Sequence, residues 1–392
     1  MIKLSTRGNL QYPILLFISS FIRDAETDIL SKYLSFNINL IYVPLMSLGE
    51  IIFGLIIYLY QSKYLKHKNK FDNKKTYKYM SQIELIIKDR VIETKDSTYK
   101  KVILIIIMSY FDYIQFLLSN ELIPKFFTSS YSLESRLSGI LIILEAFFYR
   151  FVLKLPIFKH QVFSLSIIAF CLIIIIILEF IFQDFNIFLS LGEFVFLIIT
   201  ILGIQFFNSH LDLIEKYLFE YDYINPFKAL MFEGILCLFY SAIYLIYKNP
   251  LPELIEYYNN NSNFFVLILL FVAYIILSGI KNSYRVITNK IFSPMATTLA
   301  IYFLNPIYII ICLILKDDFI SDGKRNYIYF SINFILAIII SFIACIYNEF
   351  IILFFFGLQY ETYAQISNRA DIQTLSTELS RLSELSDDSI YN

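Results

Sequence analysis

The chain has 392 residues, a length at which a soluble protein divides into two or three domains. Its composition excludes that division: 58% hydrophobic and 17% charged residues, with a mean hydropathy of +0.64, leave too little polar surface to face water all round. A net charge of -1 gives no general attraction to nucleic acid, and the chain is predicted to be an all-α integral membrane protein.

Ten apolar runs approach the roughly 20 residues that a helix needs to cross hydrocarbon. They fall at 10–32, 38–60, 102–122, 128–150, 161–182, 190–213, 226–247, 264–287, 291–315 and 327–355. Runs such as Ile103–Ile107 and Leu172–Ile177 are uniformly apolar, so helices are predicted and not alternating barrel strands. The first run follows Lys3 and Arg7 but leads into Arg23, Asp24, Glu26 and Asp28 without a cleavage pattern. It is read as a retained helix, in which Arg23 and Glu26 can pair and Asp24 and Asp28 crowd each other. After the second run, residues 61–101 hold eleven Lys and one Arg against five acidic residues, which predicts a cytoplasmic loop. Within it Met80, Ile83, Ile87 and Val91 have the spacing of a surface helix, and a solvated linker is the alternative. Ten spans then put both termini in the cytoplasm. The loop at 248–263 falls on the other side, where Asn260 of the sequon Asn260-Asn261-Ser262 is a glycosylation candidate.

Spans one to five and six to ten are similar in number and spacing. Five is odd, so the second set is inverted relative to the first, as in many carriers. The expected organisation is a first five-helix repeat over 1–182 and a second over 190–356. Residues 357–392 follow as an acidic, Ser-rich cytoplasmic tail expected to be disordered.

The cysteines, Cys171, Cys237, Cys312 and Cys345, lie apart inside apolar runs, so neither a disulfide framework nor a metal cluster is expected. No phosphate loop, nucleophile elbow or zinc-protease motif is found, and neither enzyme chemistry nor a cofactor is predicted. The informative residues are polar groups inside the spans, which cost several kcal/mol unless paired or hydrated. They are Glu50, Asp112, Gln115, Glu145, His210, Asp212, Glu233, Lys281, Asn282, Arg285 and Glu349, and together they imply a central hydrated cavity. Glu215 and Lys216, near a predicted span end, are read as interfacial or structural.

Several of these residues carry a family resemblance. Gly49-Glu50, Asp112, Glu215-Lys216, Pro226 followed by Glu233-Gly234, and Tyr347-Asn348-Glu349 stand in order along the chain. The set resembles the drug/metabolite transporter superfamily, within solute carrier family 35 and closest to its F subgroup. Ser135-Arg136-Leu137-Ser138-Gly139 stands where that subgroup has Gln-Met-Leu-Arg-Gly, and His210 stands in place of a Gln. The resemblance implies a ten-helix carrier of a small polar or organic metabolite, nucleotide-sugar-like solutes included, in an endomembrane such as Golgi, endosome or lysosome. Its partners are then the solute and the lipid bilayer, with homodimerisation left open. The substrate-binding candidates are Glu50, Asp112, Ser135, Ser138, His210 and Asn282. Gly49, Gly139, Glu215, Lys216, Pro226, Glu233, Gly234, Tyr347, Asn348 and Glu349 are assigned to structure and packing, with Gly139 and Gly234 expected to allow close helix approach. The alternative is a non-transporting scaffold or receptor acting through its tail, where Tyr363-Ala364-Gln365-Ile366 matches a sorting pattern.

Overall fold

A computed structural model describes residues 2–4, 11–33, 39–71, 98–121, 136–152, 157–182, 191–220, 222, 224–248, 264–291, 294–315 and 324–353. Its elements in chain order are β1 (Ile2–Leu4), α1 (Gln11–Tyr33), α2 (Asn39–Phe71), α3 (Thr98–Glu121), α4 (Gly139–Phe151), α5 (Lys159–Phe182), α6 (Leu191–Glu220), α7 (Pro226–Lys248), α8 (Phe264–Ile291), α9 (Pro294–Tyr302), α10 (Leu304–Leu315), α11 (Lys324–Tyr347) and β2 (Ile351–Leu353). The surface-helix segment after Phe71, the sequon at Asn260, Ser135 and the tail after Leu353 lie outside the described residues.

Among the described residues, eight segments are long and apolar enough to cross a membrane: α2, α3, α5, α6, α7, α8, α9 with α10, and α11. Their outward faces are apolar, as with Phe170, Ile173 and Ile177 on α5 and Phe239, Ile243 and Ile246 on α7, all exposed. The buried positions include Glu50, Asp112, Glu145, Glu215 and Glu233. Apolar outside and charged inside is the reverse of a water-soluble protein, and the chain is a multi-pass membrane protein. The other two predicted spans differ for separate reasons. Helix α1 is 23 residues long, but its second half carries Arg23, Asp24 and Glu26; α4 is described over only 13 residues.

Several helix ends depart from the expected spans, and α2 runs to Phe71, past the predicted end at 60 and into the segment read as a loop over 61–101. Helix α6 runs to Glu220, past the predicted end at 213, which brings Glu215 and Lys216 inside it. The ninth run breaks between α9 and α10 at Phe303, one residue beyond Tyr302, whose carbonyl the Pro306 ring would crowd from four residues on. The tenth run ends at Tyr347. The amide of Phe350 donates to the Cys345 carbonyl (2.9 Å) and that of Glu349 to Ile346 (3.1 Å), with Glu349 at φ 59°. This is the left-handed helix stop usually made by glycine. Ile351–Leu353 then pair antiparallel with Ile2–Leu4 in the register Ile2↔Leu353.

Helix α2 packs most extensively on α7 and then on α8; α8 also packs on α1, α3 on α6 and α7, α5 on α11, and α4 on α6 and α9. The α2–α8 crossing is backbone against backbone. A Cβ on Gly49 would collide with the Ile275 carbonyl oxygen, and one on Gly279 would lie 2.8 Å from the Gly49 carbonyl oxygen. At the α2–α7 crossing, a Cβ on Gly234 would lie 2.8 Å from the Ser47 carbonyl oxygen and 2.9 Å from the Glu50 Cβ. In contrast, a Cβ on Gly139 would meet only ordinary contacts with Leu172, Tyr302 and Ile340, so the close approach expected there is found at Gly234 alone of the two. A core of mostly Leu and Ile packs α4, α5, α6, α9 and α11 together.

Candidate functional site

On α8, Ser278, Asn282, Arg285 and Asn289 recur at spacings of four, three and four, which aligns them on one face. On α6, Gln205, Ser209, Asp212 and Lys216 repeat the same spacing, and both sets are buried apart from Arg285, which is nearly so. The two stripes meet each other and Glu50 of α2, Asp112 of α3 and Glu233 of α7.

Arg285 is the hub. Its Nη2 donates to Glu233 Oε1 at 3.1 Å and Oε2 at 3.2 Å, and it lies 3.0 Å from Glu215 Oε1. Its Nη1 is 3.7 Å from Asp212 Oδ1. Asparagines orient the acids: Asn289 Nδ2 donates to Glu215 Oε2 at 2.7 Å and Asn282 Nδ2 to Glu50 Oε1 at 2.6 Å. Gln115 Nε2 donates to Asp112 Oδ1 at 3.1 Å, and the Cys237 thiol faces Asp112 Oδ2 at 3.5 Å. Lys216 Nζ donates to the carbonyls of Asn289 and Lys290 (3.0 and 3.2 Å), binding α6 to the C-terminal end of α8. On the flank, Glu145 Oε1 accepts from Thr298 Oγ1 at 2.9 Å.

Five carboxyl groups, those of Glu50, Asp112, Asp212, Glu215 and Glu233, thus surround one guanidinium. One oxygen each from Glu50, Asp112 and Glu233 lies within 4.8 Å of the others, a spacing that a metal ion can bridge. Both Glu233 oxygens already accept from Arg285, however, so the guanidinium stands where a metal would supply positive charge. The group is closed to solvent in this conformation, with Glu50 and Glu233 each 0% exposed. Within the group, Arg285 and the carboxamides of Asn282 and Asn289 compensate part of this charge, and Glu50 Oε2 is left without a donor among the described residues.

The structure brings together Glu50, Asp112 and Asn282 of the proposed substrate set. It adds Glu215, Lys216 and Glu233, which the sequence assigns to structure: the first two because α6 is expected to end before them, Glu233 as part of the α7 motif. Ser138 stands half-buried ahead of α4, its carbonyl accepting from the Leu141 amide at 3.0 Å. His210 faces Phe111, Phe148 and Phe206, with Nδ1 2.9 Å from the Phe206 carbonyl oxygen, and is not drawn into the acid group. Pro226 opens α7, where Asn225 Oδ1 accepts from the amides of Phe227 (2.9 Å) and Lys228 (3.4 Å). Tyr347 is buried, Asn348 Nδ2 donates to the Met295 carbonyl at 3.4 Å, and Glu349 lies 3.5 Å from His160 Nε2. Arg285 and Asp212 were noticed as polar residues but assigned no role; the four-three-four stripe on each helix was the signal that marked them.

Other ion pairs lie elsewhere, among them one between Lys101 and Asp222 at 3.6 Å. Arg136 Nη1 donates to Glu179 at 2.6 Å and also to the Tyr329 hydroxyl, which itself donates to Glu179. Tyr329 is eighteen residues from Tyr347 along α11, about 27 Å from the end that carries the strand pair. In α1 the Arg23 guanidinium turns to the adjacent Asp24 (2.6 Å) and not to Glu26, because Asp24 is also held by Tyr308 Oη of α10 at 2.8 Å.

No family model matches the chain, and no curated protein matches it.

Proposed function

We propose that the chain is an alternating-access carrier of ten membrane helices, built as two inverted five-helix halves, for a small polar or organic solute. The ten are α1 to α8, α9 with α10, and α11. The carrying observation is that the buried charged group draws on both halves: Glu50 and Asp112 from the first, Asp212, Glu215, Glu233 and Arg285 from the second. Side chains so placed are remade whenever one half moves against the other, which is how a site at a repeat interface is exposed to each side in turn.

The neighbour pattern supports the inverted halves. Exchanging each helix for the one five places along turns α1–α8 into α6–α3, α2–α8 into α7–α3, and the α4–α6 pair into the pairing of α9 with α1; all are packed pairs. Helices α2 and α7 exchange with each other, as do α5 and α11, and each of these pairs is in contact. The α2–α7 crossing carries Gly49-Glu50 on one side and Glu233-Gly234 on the other, so each of the exchanged helices brings a glycine and a carboxylate to it. The β1–β2 pair supports an even number of crossings, since it holds the segment before α1 and the segment after α11 at one end.

Glu50, Asp112, Glu215 and Glu233 of the suspected solute carrier motifs meet in this group, which supports that resemblance, while Ser138, His210 and Tyr347-Asn348-Glu349 lie apart from it. An endomembrane location follows from the resemblance alone, and cytoplasmic termini from the basic segment 61–101 with an even number of spans. Carboxyl groups outnumber the central guanidinium, so a neutral or cationic metabolite suits the site better than a nucleotide-sugar-like anion. The test is uptake of a mixed metabolite pool by liposomes carrying the purified protein, read by mass spectrometry. The carrier reading expects saturable accumulation of at least one solute. Accumulation no greater than in empty liposomes contradicts it.

A further inference from the structure

We infer that Glu50 is the proton-binding residue of this site, held as a neutral acid in the closed conformation and exchanging its proton with water when the halves part. The five carboxyl groups around Arg285 are not equivalent. Asp212, Glu215 and Glu233 lie within ion-pair distance of the guanidinium, and Asp112 accepts from Gln115. Glu50 accepts one carboxamide hydrogen bond on Oε1, while its Oε2, wholly buried, has no hydrogen-bond donor among the described residues. The groups that face it are mostly of its own sign or neutral: Asp112 from α3, Glu233 and Cys237 from α7, Glu215 from α6, and Arg285 and Asn282 from α8. Arg285, the one cation among these, is engaged by three other carboxylates.

A bare anionic oxygen inside a membrane protein, beside like charges, costs several kcal/mol. Three kinds of cation can remove that cost. A metal ion would have to share Glu233 with the guanidinium already on it. An organic cation needs room beside Glu50, which is 0% exposed. A proton needs none. Placed on Oε2, it converts the orphaned acceptor into an O–H donor, and an oxygen each of Asp112 and Glu233 lies within 4.8 Å of the Glu50 carboxyl group. The proton comes from water on the side to which the site opens and returns to water on the other. Coupling of solute movement to a proton gradient rests on the carrier reading; protonation of Glu50 does not.

Infrared difference spectroscopy of the full chain in lipid nanodiscs, stepped from neutral to alkaline pH, tests the protonation. The expected result is a protonated-carboxyl C=O component at neutral pH that moves when glutamate is 13C-labelled, vanishes in Glu50→Gln and survives in Glu26→Gln. In Asn282→Leu, which keeps Glu50 and removes its amide donor, the same component shifts in frequency; this arm serves if Glu50→Gln does not fold. Persistence of every component in Glu50→Gln, no shift in Asn282→Leu, or insensitivity to glutamate labelling overturns the inference. Loss of the component in Glu50→Gln, together with no solute accumulated by the wild-type protein in liposomes, supports the proton site and contradicts the carrier.

Discussion

Arg285 of α8 sets one guanidinium nitrogen 3.1 and 3.2 Å from the two carboxylate oxygens of Glu233 on α7. The same nitrogen reaches Glu215 on α6, so one side chain ties three helices together at the point where acids would otherwise repel. Replacing Arg285 by Met leaves those carboxylates buried without a counter-ion. The expected cost is about 3–5 kcal/mol, read from unfolding in detergent. Arg285→Lys restores only part of it, because a point ammonium does not reproduce the fork of donors.

The Arg136–Glu179 pair offers a cleaner cycle, since both side chains are buried and Tyr329 completes the group. Arg136→Met alone is expected to destabilise by about 3–5 kcal/mol, and adding Glu179→Leu to recover most of that loss. A double variant no more stable than the single one would show that Glu179 is satisfied without Arg136.

Glu349 holds a left-handed backbone conformation that costs a side-chain-bearing residue about 1–2 kcal/mol. Glu349→Ala and Glu349→Gly both remove the His160 contact, and only the second relieves the backbone. The glycine variant is expected to be more stable than the alanine variant by about that amount in thermal unfolding. Equal stabilities would contradict the helix stop described for α11.

Two glycines should respond in opposite directions to the same methyl group. Gly49→Ala drives a Cβ into the Ile275 carbonyl, where backbone must move, at an expected cost of about 1–3 kcal/mol. A Cβ on Gly203 meets nothing within 4 Å, so Gly203→Ala gains helix propensity, up to about 1 kcal/mol. Unfolding midpoints of the two variants on either side of the parent check this.

The apolar runs made α2, α3, α5, α7 and α8 legible, because hydrocarbon imposes length and composition directly on sequence. Their ends were less so. Nothing in Ile351–Leu353 distinguishes a strand from more helix, and the stop before it uses Glu349 where glycine is the usual sign. Glu50, Asp112 and Asn282 could be picked as buried polar residues, yet their shared location depends on which helices cross, and periodicity is silent on that. Glu215 and Lys216 lie inside α6 because it continues two turns further than its apolar run. His210 drew notice as a rare residue type, whereas its surroundings are three phenylalanine rings.

The most direct test of the central claim, that the carboxyl group gathered about Arg285 is where solute passes, is uptake by proteoliposomes of whichever solute the wild-type protein accumulates. Glu50→Gln and Glu233→Gln are each predicted to lower initial uptake at least about tenfold, a transition-state or binding loss of about 1.4 kcal/mol, while His210→Phe leaves it unchanged. Wild-type uptake rates in both glutamine variants would contradict the account.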